Sequence, residues 1–159
     1  MQKELVVKQV IEKYADMVYR IALTRCGIVE NAEDVFQDVF IKYSEKMPNF
    51  ESEEHRKAWL IRVTINLTKN INNSAWNRKI VTLDENIEFE TKEQEDIFSI
   101  VCSLPKDYKT VIYLSYYEGY KVKEISEILK KSEGTIKTWL FRARQMLKEK
   151  IEGGFEDEE

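Results

Sequence analysis

Proline and glycine are scarce in this chain, at 2 and 5 of its 159 residues. That leaves few ready-made tight turns and favours long helices. The length allows one compact domain or two small ones. There are only 2 cysteines and 1 histidine. Cys26 and Cys102 lie far apart with no CxxC spacing, so a zinc site has little to build on, and a reduced, cytosolic protein is the expectation. Small core residues are their simplest reading. No apolar run approaches the ~20 residues of a membrane span. The opening MQKELVVKQVIEKY has no signal-peptide core and reads as a helix start. Gly-rich phosphate loops and nucleophile constellations are missing as well, which leaves catalysis without an obvious seat and implies no cofactor.

Net charge is -4, which by itself argues against a nucleic-acid partner. Its distribution argues the other way. From His55 to Leu83 there is no acid, but there are Arg56, Lys57, Arg62, Lys69, Arg78 and Lys79. Acids dominate from Asp84 to Asp96, bases return beyond Lys121, and the tail IEGGFEDEE is acidic. Two basic zones are thus separated by an acidic one.

Periodicity predicts helices throughout. Leu5–Thr24 carries an apolar stripe of Val10, Tyr14, Met17 or Val18, and Ile21. Asn31 is placed to cap a second helix over Ala32–Glu45, which buries Val35 or Phe36, Val39 or Phe40, and Tyr43. MPNFESEEH breaks the pattern. A third helix follows over Glu54–Asn72, with Ala58, Trp59, Val63 and Leu67 inward. The acidic stretch that follows reads as a linker giving way to a helix before Leu104. Three helical patterns complete the chain. Ser103 can cap the first, which draws apolar bulk from Val111, Ile112, Leu114 and Tyr116. The second spans Val122 to Leu129 or Lys130, and the third runs from Ser132 or Glu133 to about Lys150.

The last two fit a helix-turn-helix. Ile125, Ile128 and Leu129 can pack on Ile136 and Leu140 across the short turn KKSE, with Ser132 as cap and Gly134 allowing close backbone approach. Lys137, Thr138, Phe141, Arg142 and Arg144 are then left at least partly exposed, on a helix whose width suits the DNA major groove. The plainer reading is an ordinary solvated basic face, with Phe141 in the core. Asp34, Gln37 and Asp38 share another face at i, i+3 and i+4. Metal binding or acid–base work, protein docking and plain wet surface all remain open for it, with surface the simplest. Trp59 and Trp76 adjoin positive charge, as stacking platforms for unpaired bases do. Trp59 reads more readily as core and Trp76 as exposed.

Two separated blocks resemble the short sigma factors of the extracytoplasmic-function group, within the sigma-70 family. AEDVFQDVFIKYSEKMPNFESEEHRKAWLIRVTINLTKN is similar to the second conserved sigma region, and LPKDYKTVIYLSYYEGYKVKEISEILKKSEGTIKTWLFRARQMLKE to the fourth. The resemblance implies an all-α protein: residues 1–79 for core polymerase and the -10 element, an acidic linker over 80–96, a helix-turn-helix unit over 97–152 for the -35 element, and an acidic tail over 153–159. It implies an initiation subunit and not an enzyme. Asp34, Gln37, Asp38 and Phe40 stand at the core-polymerase positions. Asn49, Phe50 and Ser52 fall in the loop that accommodates a flipped base. Arg62, Asn66 and Lys69 lie on the helix facing the strand, and Trp76 joins that -10 set. Thr135, Lys137, Thr138, Arg142 and Arg144 are the -35 candidates. The implied partners are core RNA polymerase, promoter DNA and an inhibitory anti-sigma protein, often membrane-anchored in this group. The free protein is expected to be a cytoplasmic monomer. The acidic linker is expected near polymerase channels, where it would mimic nucleic-acid charge. Rival expectations are a stand-alone helix-turn-helix regulator and a helical polymerase-binding protein that reads no promoter.

The match has departures. Lys130 stands where the family often has glycine after the leucine of the first helix, and a left-handed cap there would cost about 1 kcal/mol. Lys131 and Glu133 replace smaller or apolar types. NNSAWNRK carries less arginine than is usual at its position, so fewer duplex contacts are expected there.

Overall fold

A computed structural model describes residues 2–69 and 88–157, with side chains to residue 153. All regular structure among them is helical, and the chain divides into two compact units, residues 1–84 and 85–159. Trp76 and most of the acidic stretch lie outside the described residues.

In the first unit, α1 (Gln2–Cys26), α2 (Val29–Lys46) and α3 (Glu53–Thr68) all pack on one another. The predicted α1 stripe is the core: Val10, Tyr14, Met17, Val18 and Ile21 are all buried. Gly27 ends the helix at φ 74°, its amide bonded to Leu23 O at 2.8 Å. This glycine turn lets α2 start early. The Ala32 amide already reaches Ile28 O at 3.0 Å. Ile28 is therefore the cap, with no side-chain bond, and Asn31 sits inside the helix.

The α3 core lies one position round from the expected stripe. Leu60, Ile61, Thr64, Ile65 and Thr68 are buried, whereas Ala58, Trp59, Val63 and Leu67 are half-buried. The two threonines can be buried because their hydroxyls donate to Leu60 O and Ile65 O, each at 2.6 Å. Thr68 also accepts from the buried Arg25 Nε at 2.6 Å, pinning the end of α3 to the end of α1.

In the second unit, α4 (Lys92–Cys102), α5 (Lys106–Ile112) and α6 (Val122–Leu129) all pack against α7 (Glu133–Asp157) or the segment beside it. α4 begins inside the stretch read as linker, because Thr91 caps it by accepting the Gln94 amide at 3.1 Å. Ser103 closes α4 instead of opening α5, and its hydroxyl donates to Ile100 O at 2.6 Å. Pro105 takes the capping position of α5, where its missing N–H is no loss. α5 then widens into one π-turn, Tyr113–Tyr117. That turn buries Tyr113 and Leu114 and leaves Tyr116 71% exposed, so Tyr116 does not join the core. α7 passes through Gly153 and Gly154 to Asp157 instead of stopping near Lys150. Glycine weakens a helix by about 1 kcal/mol but does not by itself end one.

Candidate protein and nucleic-acid interfaces

The helix-turn-helix is built as its residues suggested. α6 buries Ile125 and Ile128 and α7 buries Ile136, Leu140 and Ala143, while Leu129 is half-buried. Lys130 does adopt the left-handed conformation, φ 56° and ψ 47°. The turn around it is well bonded. The Lys131 amide donates to Ser126 O at 3.1 Å, a six-to-one bond, and the Ser126 hydroxyl returns to Lys131 O at 2.5 Å. Ser132 caps α7 by accepting the Thr135 amide at 3.1 Å. A Cβ on Gly134 would meet only Ser132 Oγ, at 4.0 Å, so packing within the chain does not demand glycine there.

Beyond this cap the outer face of α7 is free of structural work. Lys137, Thr138, Arg142 and Arg144 are exposed and Thr135 is half-buried. Thr138 returns its hydroxyl to Gly134 O at 3.0 Å. Phe141 is not core: it is 63% exposed, between Thr138 and Arg142. Because 137, 141 and 144 recur at i, i+4 and i+7, this ring belongs to the same basic face. The apolar ring beside cations is the part of the face that the periodicity left undecided.

On α2 the expected strip is exposed at Asp34, Gln37 and Asp38. Phe40 points elsewhere. It is 6% exposed and lies edge-on to Phe36 at 5.0 Å, so its ring supports the helix from inside. The sequence reading missed Ile41, one turn after Asp38 and 52% exposed. It completes the i, i+3, i+4, i+7 series begun at Asp34, and an isoleucine among exposed acids suits protein docking better than metal binding. No group of His, Cys, Asp and Glu among the described residues could hold a metal ion.

The loop between α2 and α3 starts at Met47, which is left-handed at φ 39°, and ends at Ser52. Ser52 accepts the His55 amide at 3.1 Å, so its hydroxyl is engaged as the α3 cap. Asn49 is exposed. Phe50 is half-buried in an aromatic cluster, stacked 6.4 Å from Tyr43 and roughly edge-on to Trp59 at 5.9 Å and His55 at 5.3 Å. Trp59 is thus neither plain core nor a free platform. It walls the cluster, edge-on to Tyr43 at 5.9 Å. Further along α3, Arg62 is half-buried and Asn66 and Lys69 are exposed, sharing one face at i, i+4 and i+7.

Two family models match the chain in order: Sigma-70 region 2 over residues 10–77 and Sigma-70, region 4 over residues 94–147. The chain belongs to the sigma-70 family, in its extracytoplasmic-function group. Among curated relatives, the ECF RNA polymerase sigma-E factor of Haemophilus influenzae is 29% identical, over 82% of this chain and 79% of its own. The ECF sigma factor SigW of Bacillus subtilis is 26% identical over 89% and 87%. SigV of the same organism is 29% identical over 92% and 90%. The fold is shared with CnrH, solved with the cytosolic domain of CnrY, at a TM-score of 0.70 and 18% identity over 94% of this chain and 90% of that one. It is also shared with RpoE of Bartonella quintana, solved with the anti-sigma factor NepR, at 0.69 and 22% over 91% and 96%. As a sigma factor, the protein directs RNA polymerase to promoters of the extracytoplasmic-function type. It is a specificity subunit and does not itself catalyse a reaction.

Proposed function

We propose that the two units divide promoter recognition as the sigma regions do. The first, about residues 1–79, docks core polymerase through Asp34, Gln37 and Asp38, with Ile41 as an apolar centre and Phe40 supporting the helix from within. Its loop and α3 handle the -10 strand through Asn49, Phe50, Ser52, Arg62, Asn66 and Lys69. Trp76, which lies outside the described residues, stays with that set on its sequence position. Binding to unstacked bases offsets the few kcal/mol that flipping a base requires. The second unit, about residues 97–152, reads duplex at -35 through Thr135, Lys137, Thr138, Arg142 and Arg144. Phosphate contacts set register, and arginine to guanine edges supplies sequence.

What carries this reading is the division of labour on α7. Ile136, Leu140 and Ala143 hold the core, and the exposed cations with Phe141 are left for a partner. The decisive experiment is reconstituted transcription with Lys137→Ala combined with Arg142→Ala. Promoter-specific initiation should be lost while one-to-one binding to core polymerase is kept. Initiation that survives at moderate salt sinks the assignment of α7. In parallel, Asp38→Ala should weaken core binding, and an unchanged affinity removes it from the docking face.

CnrH was solved in complex with the cytosolic domain of CnrY, and RpoE in complex with the anti-sigma factor NepR. This chain would likewise be sequestered by an anti-sigma protein and would work in the cytoplasm beside polymerase. No helix among its described residues is long and apolar enough to cross a membrane.

A further inference from the structure

Glu53 opens α3 directly after its cap, and its carboxylate gathers donors from two helices. The Tyr14 hydroxyl donates to it at 2.7 Å and the Lys13 ammonium lies at 3.4 Å, both from α1. Arg56, one turn along α3, donates to it through Nη1. The Arg56 guanidinium carbon stands 5.3 Å from the centre of the Phe50 ring. Its Nε is buried and bonds to nothing among the described residues. Glu53 is therefore the acceptor that aims this guanidinium.

Stability does not explain the arrangement. The Glu53 side chain is 50% exposed and that of Arg56 24%, and ion pairs this wet contribute little. What the network does is geometric. Tyr14 ties the first turn of α3 to α1, and Arg56 presses the loop ring from one side while Tyr43, His55 and Trp59 border it on others.

We propose that Glu53 is a positioning residue for strand opening: through Arg56 and Tyr14 it holds Phe50, and with it residues 47–52, in the shape that receives an unstacked base. The inference rests on the promoter reading above. A loop ordered before binding spends none of the base-binding energy on its own ordering.

His55 makes this testable in the free, full-length protein. It is the only histidine, and its ring lies edge-on to Phe50 at 5.3 Å. Ring current from Phe50 should displace its imidazole NMR signals. In Glu53→Gln those signals should move toward the position of an unstructured histidine, with a thermal midpoint within about 2 °C of wild type. Holoenzyme is then assembled on bacterial core RNA polymerase, and a duplex promoter is selected by the wild-type holoenzyme from a randomised library. Opening of its -10 region, read by 2-aminopurine fluorescence, should fall roughly tenfold or more with Glu53→Gln. On the same promoter with its -10 strands already mismatched, initiation at saturating template should stay within about twofold. Arg56→Gln should reproduce the pattern. Unmoved His55 signals, or full duplex opening by both variants, overturns the proposal alone. A wild-type holoenzyme that opens no duplex overturns the promoter reading, and this proposal with it.

Discussion

The Ser132 hydroxyl accepts the Thr135 amide at 3.1 Å and meets the Thr135 hydroxyl at 2.9 Å. The cap of α7 thus also fixes the side chain of a proposed -35 contact. Replacing Ser132 by alanine should cost the second unit about 1 kcal/mol in urea denaturation, the usual loss of an N-cap. It should also weaken promoter-duplex binding by the holoenzyme, because Thr135 loses its rotamer partner. Ser132→Thr should restore most of both.

Lys130 offers a change in the opposite direction. Its left-handed backbone carries a Cβ where glycine would carry none. Lys130→Gly should raise stability by up to about 1 kcal/mol, less what glycine loses by its greater freedom when unfolded. A denaturation midpoint that falls would mean that the Lys130 side chain makes up for its backbone strain.

Phe141 and Ile136 separate reading from folding on one helix. Phe141→Ala, at a ring 63% exposed, should change stability by less than about 0.5 kcal/mol. It should nonetheless lower duplex affinity by roughly tenfold, as loss of an apolar contact to a thymine methyl would. Ile136→Ala, at a side chain with 0% exposure, should instead cost about 2–5 kcal/mol and lose DNA binding through unfolding.

Tyr14 gives a pH dependence. Burial lifts its hydroxyl above the ordinary 10.0, Arg56 opposes this, and Glu54 and Tyr43 add to it. The folded state therefore keeps a proton that the unfolded chain gives up. This stability is fully present below about pH 10 and is lost as pH rises from there through the folded value. Tyr14→Phe should flatten the alkaline fall in denaturation midpoint between about pH 9 and 11, and an unchanged slope would assign that fall to other groups.

Much of the architecture was legible because it is written in apolar side chains. The α1 stripe and the α6–α7 contacts needed only periodicity. The α3 stripe did not read through, since Thr64 and Thr68 count as polar until their hydroxyls are seen returning to carbonyls. Asn31 had the chemistry of a cap but not the place, because Gly27 turned the chain earlier. The acids of α2 could be given a partner only through family likeness, as no charge pattern distinguishes docking from solvation. The clustering of Phe50 with Tyr43, His55 and Trp59 joins residues from two helices and a loop. No local spacing announces that kind of contact.

The π-turn at Tyr113–Tyr117 is what a single extra residue leaves in a helix that has kept its ends. Its i→i+5 ladder absorbs about one residue of surplus, and the Tyr120 amide then recovers the chain by bonding to Leu114 O at 3.0 Å. Deleting Tyr116 would let an ordinary ladder run through. Everything downstream would then have to rotate by roughly 100°, one residue's share of a 3.6-residue turn, or the exit at Gly119 would have to unwind. The register at which the chain leaves α5 for the connection to α6 is thereby set within the π-turn, ahead of the non-helical residues 118–121.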